Sequence, residues 1–125
     1  MAKRKIPSQL GIAAVRSVLS GEATRDTSDA TFANAVRYLL ESLAQLRPGN
    51  TVEVRVPPLG ATQCVEGPTH RRGTPPNVVE MDADTWFALA VGEVSWQQAT
   101  DAGKVQASGS RTDLSQMLPL NFGLN

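Results

Sequence analysis

The chain has 125 residues, the size of one domain, and its 12 Lys and Arg balance 12 Asp and Glu. That length leaves little room for a separate cofactor module, and the neutral balance excludes a strongly basic nucleic-acid binder as the default. One Cys and one His exclude an intrachain disulfide framework and a zinc centre of the Cys/His-cluster kind. The neutrality is divided: residues 1–25 carry five basic groups and one acid, a net of +4, and residues 26–125 carry −4.

Lys3-Arg4-Lys5 is not followed by an apolar run long enough for a signal peptide, because Arg16 and several polar residues interrupt it. The basic, acid-poor start is compatible with an organelle transit peptide in a eukaryotic source. No apolar run spans a membrane and the last residues lack a Ser-Lys-Leu address, so the expected localisation is cytoplasmic. After Pro7-Ser8, the positions Leu10, Ala13, Ala14, Val15, Val18 and Leu19 predict a short helix ended by Ser20-Gly21, within a basic arm of residues 1–25 that precedes a domain of residues 26–125.

Ser28 or Asp29 caps the clearest helix, where Phe32, Val36, Leu39, Leu40, Leu43 and Leu46 recur at three- and four-residue spacing until Pro48-Gly49. The period then changes to two: Val52, Val54 and Val56 alternate with Glu53 and Arg55, which predicts a half-buried strand. Pro57-Pro58-Leu59-Gly60 turns the chain, and strands are predicted over Ala61–Glu66 and Asn77–Met81. Asp82 or Asp84 caps a helix with Trp86, Phe87, Leu89 and Ala90, which Gly92 ends; Ser95 caps a shorter one with Trp96 and Ala99, closed by Gly103. A strand over Lys104–Ser108 and a last helix over Asp113–Met117, stopped by Pro119, complete the order. Strands adjacent in sequence with short turns predict the α+β class, a mostly antiparallel sheet of four to five strands covered on one face by helices.

Few residues offer chemistry. Cys64 and His70 are the sole thiol–imidazole pair, but Cys64 stands in a strand pattern where a small buried thiol is ordinary packing. A Gly-x-Ser-x-Gly elbow, a phosphate-binding Gly-x-x-x-x-Gly-Lys loop and a calcium loop are missing, and Asp82 and Asp84 are explained by helix capping. No catalytic residue, metal or cofactor is therefore expected. Thr69-His70-Arg71-Arg72-Gly73-Thr74 is the densest polar cluster: His70, Arg71 and Arg72 suit a phosphate or carboxylate head group, or form a solvated hairpin tip paired with Glu66 or Glu80. Trp86 and Trp96, with Phe87 and Leu89, either line a ligand cavity or fill the core. Lys3, Arg4 and Lys5 form either a weak contact with an anionic membrane surface or a solvated start.

Two stretches carry a resemblance. Arg55-Val56-Pro57-Pro58 through Ala61-Thr62-Gln63-Cys64 and Gly67-Pro68-Thr69-His70-Arg71-Arg72-Gly73-Thr74-Pro75-Pro76-Asn77-Val78-Val79-Glu80 resemble the compact sterol carrier family proteins of actinobacteria. The later pattern of Trp86, Leu89, Gly92, Trp96, Ala99, Gly103, Val105, Ser108-Gly109, Asp113-Leu114 and Leu118-Pro119-Leu120 is similar to the broader sterol carrier protein fold, which also closes mycothiol-dependent maleylpyruvate isomerases. Over roughly residues 28–120, the resemblance implies about five strands covered by helices, with an apolar cavity between the layers. On that basis the expected function is non-enzymatic binding of a lipid or fatty-acyl ligand, with Val36, Leu39, Leu40, Leu43, Trp86, Leu89 and Trp96 as lining candidates. The alternative is a structural or protein-interaction module with a fully packed core. A thiol-assisted isomerase follows from fold kinship alone. No nucleic-acid partner is expected, and a homo-oligomer is compatible with the sequence.

Overall fold

The computed structural model describes residues 5–67 and 77–121. Helix α1 (Ser8–Leu19) and helix α2 (Ala30–Leu46) precede strands β1 (Val52–Val56), β2 (Gly60–Cys64) and β3 (Asn77–Glu80), followed by helices α3 (Ala83–Val91) and α4 (Trp96–Asp101) and strand β4 (Gln106–Ser108). The sheet order is β2-β1-β3-β4, antiparallel at both edges and parallel between β1 and β3. The parallel pair follows from where the chain leaves and returns. β2 ends at Cys64 opposite Val52, β3 begins at Asn77 opposite the same Val52, and a strand starting at the N-terminal end of β1 must run alongside it. The fold is thus α+β with four strands, mixed but mostly antiparallel.

The alternation read in β1 places Val52, Val54 and Val56 on the buried face, with Cys64 and Val79 beside them. They join Phe32, Val36, Leu39, Leu40 and Leu43 of α2 and Trp86, Phe87 and Leu89 of α3 in one core cluster. Full burial of each such side chain contributes about 1.5–3 kcal/mol. On the opposite face Arg55 Nε donates to Glu53 Oε1 at 2.6 Å. Leu46, the last member of the α2 stripe, is half exposed.

Local chemistry sets the helix limits. Asp29 caps α2 by accepting from the N–H groups of Thr31 and Phe32, Asp82 caps α3 by accepting from Thr85, and Ser95 and Gln98 form a reciprocal capping box on α4. α3 stops at Gly92, whose φ of 88° is left-handed and open to glycine at no steric cost. α1 buries Gly11, Ala14, Val15 and Val18, and the Gly11 backbone lies against the Tyr38 ring of α2. Val15 and Val18 belong to the same core cluster as the sheet.

Four expectations need correction. Residues 113–117 do not form a helix: Asp113 accepts from the Ser115 N–H, and a single turn closes from Met117 N–H to the Leu114 carbonyl at 3.0 Å. An Asp bonding its own backbone competes with helix formation, and five residues before Pro119 are too few to recover the nucleation cost. The second strand stops at Cys64 rather than Glu66, because Val65 takes a φ of 72° and leaves the ladder. The last strand is confined to Gln106–Ser108, and Met81, expected at the end of β3, follows it as a buried residue whose N–H donates to the Arg55 carbonyl.

Candidate functional site

Of the seven lining candidates, six stand in the interior between α2, α3 and the sheet: Val36, Leu39, Leu43 and Trp86 have no accessible surface, and Leu89 and Leu40 retain 1% and 3%. A side chain without accessible surface borders no space that admits a water molecule, so these positions are packed side chain against side chain. Trp86 is further fixed by its indole N–H, which donates to the Val36 carbonyl at 3.2 Å. The buried indole thereby keeps a partner for its one polar atom.

Trp96 differs. It is half-buried and lines a cleft of about 420 Å³ together with Gly92, Val94, Ser115, Leu118 and Pro119. Trp96, Val94 and Leu118 also pack against the core cluster, so the cleft opens over apolar surface. A second cleft of about 370 Å³ runs along the other side of α4, with Ala88, Val94, Ala99 and Ala102 as apolar lining and Asp82, Asp84 and Lys104 as charged lining. Its polar groups are already engaged: the Thr85 N–H holds the Asp82 carboxyl below the usual carboxylate range, and Lys104 adds to the effect. The two clefts fall in the range of small-ligand sites, roughly 300–1,000 Å³.

α4 separates these clefts, and Ala99 is its one buried residue. On the far side the segment 109–121 crosses as an irregular strap, held by the buried Leu114 and Leu120 and by the Leu120 N–H to the Ala90 carbonyl at 2.8 Å. Leu118 and Pro119 of this strap were not foreseen as lining residues. In sequence Pro119 is a stop signal and part of the Leu118-Pro119-Leu120 resemblance, and what places it in the cleft with Trp96 is packing between distant parts of the chain.

His70, Arg71 and Arg72 lie outside the described residues, as do Lys3 and Arg4; Lys5 is exposed. Cys64 is fully buried, and burial pushes its thiol up to about 11. A thiol held protonated at neutral pH is a poor nucleophile. Among the described residues no group of three or more His, Cys, Asp or Glu side chains could hold a metal ion. Among the same residues no helix is long and apolar enough to cross a membrane.

No curated protein matches the chain. A family model described as a bacterial SCP ortholog matches residues 28–120, which runs from the Asp29 cap through Leu120 of the strap. With the four-stranded α+β sheet and helical cover described above, the chain belongs to the bacterial SCP ortholog family.

Proposed function

We propose that the protein is a non-enzymatic, cytoplasmic carrier of an acyl-bearing ligand, whose apolar chain is taken up beside Trp96 and reaches the core between α2, α3 and the sheet. The observation that carries this reading is a family of carrier type combined with a cleft of about 420 Å³ whose Trp96, Val94 and Leu118 continue into the core. Because the inner candidates are closed in the unliganded chain, ligand uptake requires α4 and the strap to give way. About ten buried methylenes contribute roughly 8 kcal/mol before the cost of capture. Residues 1–25 are read as a basic helical arm docked on the domain of residues 26–125.

A second reading, a packed interaction module, is favoured by the lack of accessible surface at Val36, Leu39, Leu43 and Trp86. Titrating dodecanoate or an acyl-coenzyme A while following tryptophan emission separates the two. The carrier reading expects a saturable change at micromolar ligand that Leu118→Glu weakens at least tenfold. No saturable change below the ligand's micelle limit would leave the module reading in its place.

A further inference from the structure

At the end of the sheet where β1 and β3 begin, one buried hydroxyl stands without a partner. Thr51 is 1% exposed; its N–H donates to the Val65 carbonyl at 3.1 Å and its carbonyl accepts from Asn77 Nδ2 at 2.9 Å, yet its Oγ1 has no hydrogen bond. Buried hydroxyls are nearly always bonded, so an exception calls for a reason. The same Asn77 accepts the Arg111 N–H on its Oδ1 at 2.9 Å, which brings Arg111 of the strap alongside Thr51. Gly67 completes the set: a Cβ built on it would lie 2.7 Å from Thr51 Oγ1 and 2.9 Å from Arg111 Nη1. The hydroxyl and the guanidinium therefore both pack against the Gly67 backbone, at a spot where any side chain at position 67 would displace them. Among the described residues Arg111 has no carboxylate partner, although Glu66 and Asp113 are near it in sequence.

We propose that Thr51, Gly67 and Arg111 form a binding site for a phosphate-type oxyanion. Arg111, exposed, supplies the charge and a fork of donors, Thr51 supplies a buried hydroxyl with no competing partner, and Gly67, lacking a side chain, lets both stand at one spot and lets its backbone shift to admit the anion. The strap joins this site to the Trp96 cleft, since it carries Arg111 at one and Leu118 and Pro119 at the other. Assignment of the oxyanion as the head group of an acyl ligand rests on the carrier reading; the site itself does not.

The test is an amide chemical-shift titration of the full chain at constant ionic strength with three probes: inorganic phosphate, dodecyl phosphate and dodecanol. Phosphate is expected to move the Thr51, Gly67 and Arg111 signals saturably. Arg111→Gln, at an exposed position, weakens it at least tenfold, and Thr51→Val weakens it several-fold without lowering Tm, because the variant removes an unbonded hydroxyl and keeps the shape. Dodecyl phosphate is expected to bind at least tenfold more tightly than dodecanol, an advantage that Arg111→Gln abolishes. Phosphate that leaves these three signals unmoved, or binds equally to the Arg111→Gln and Thr51→Val variants, overturns the site. If the two dodecyl probes bind alike while phosphate does not bind, the carrier reading stands and the site falls. If phosphate binds here and neither dodecyl probe enters the Trp96 cleft, the site stands for free phosphate and the carrier reading falls.

Discussion

α3 and α4 are consecutive helices with opposite attachments. Seven of the nine residues of α3 are buried, against one of the six in α4. α3 is held by what it packs against: Trp86 and Phe87 have no accessible surface, and the Phe87 ring meets Phe32 of α2 at 5.9 Å between centroids. α4 is held by its own ends, through the Ser95–Gln98 capping box and the Lys104 N–H to the Ala99 carbonyl at 3.0 Å. With one buried residue against seven, α4 has far less packing to lose than α3 when it shifts. Both α4-flanking clefts lie along this weakly attached helix. On the carrier reading proposed above, the helix that would give way to a ligand is the one with the fewest buried residues.

The sharpest way to break that contrast is to remove the two tryptophans in turn. Trp86→Ala empties a closed site and removes the indole bond to the Val36 carbonyl, with an expected loss of about 3–5 kcal/mol in urea unfolding. Trp96→Ala, at the half-buried position, is expected to cost about 1 kcal/mol. Equal losses would mean that α4 is as firmly seated as α3. A second variant sharpens the comparison from the other side of α2. Gly11→Ala improves helix propensity by about 1 kcal/mol, but its Cβ would overlap the Tyr38 ring, and overpacking of this kind costs about 1–3 kcal/mol. A net loss of Tm is expected; a gain would show that α1 is free to slide on α2 and that the closed half is looser than its burial suggests.

Where local chemistry decides, the sequence was readable. Asp29, the 3.6-residue period from Phe32 to Leu43 and Pro48-Gly49 delimit α2, and Gly92 and Ser95 place the break between α3 and α4. The strap shows the opposite case: Asp113–Met117 reads as a short helix in sequence and forms a local turn in space, because the Asp113 side chain takes the Ser115 N–H. The parallel β1–β3 pairing depends on where residues 64 and 77 come to lie, which no periodicity encodes. The seven apolar lining candidates follow from the resemblance, and their helical faces serve a packed core or a cavity equally well; among the described residues Trp96 lines a cleft while the other six are buried. Thr51, Gly67 and Arg111 were beyond sequence reading, being separated by 16 and 44 positions and brought together through Asn77.

The smallest expected effect concerns Arg25, which fastens the segment between α1 and α2 to both ends of α3. Its guanidinium donates to both Glu93 oxygens at 2.6 Å, approaches Asp84 Oδ1 at 3.4 Å and lies 4.7 Å over the Phe87 ring. The hydrogen bond from Arg25 holds the Glu93 carboxyl below its usual range. A depressed carboxylate stabilises the fold above its unfolded pKa, about 4.3 for Glu, and that contribution is lost as the pH falls through the folded value. Both side chains remain about a third exposed, at 31% and 39%, so solvent screening limits the pair to about 1 kcal/mol or less. Arg25→Met is therefore expected to lower Tm slightly at pH 6, with the difference from the unaltered chain shrinking as the pH falls below the usual Glu range and in high salt. Because Arg25 joins the firmly packed α3 to Glu93, just before the cleft, the same variant reads whether the two halves are coupled. If its Tm is unchanged at pH 6, the bond contributes nothing to the closed half and the contrast between α3 and α4 rests on burial alone.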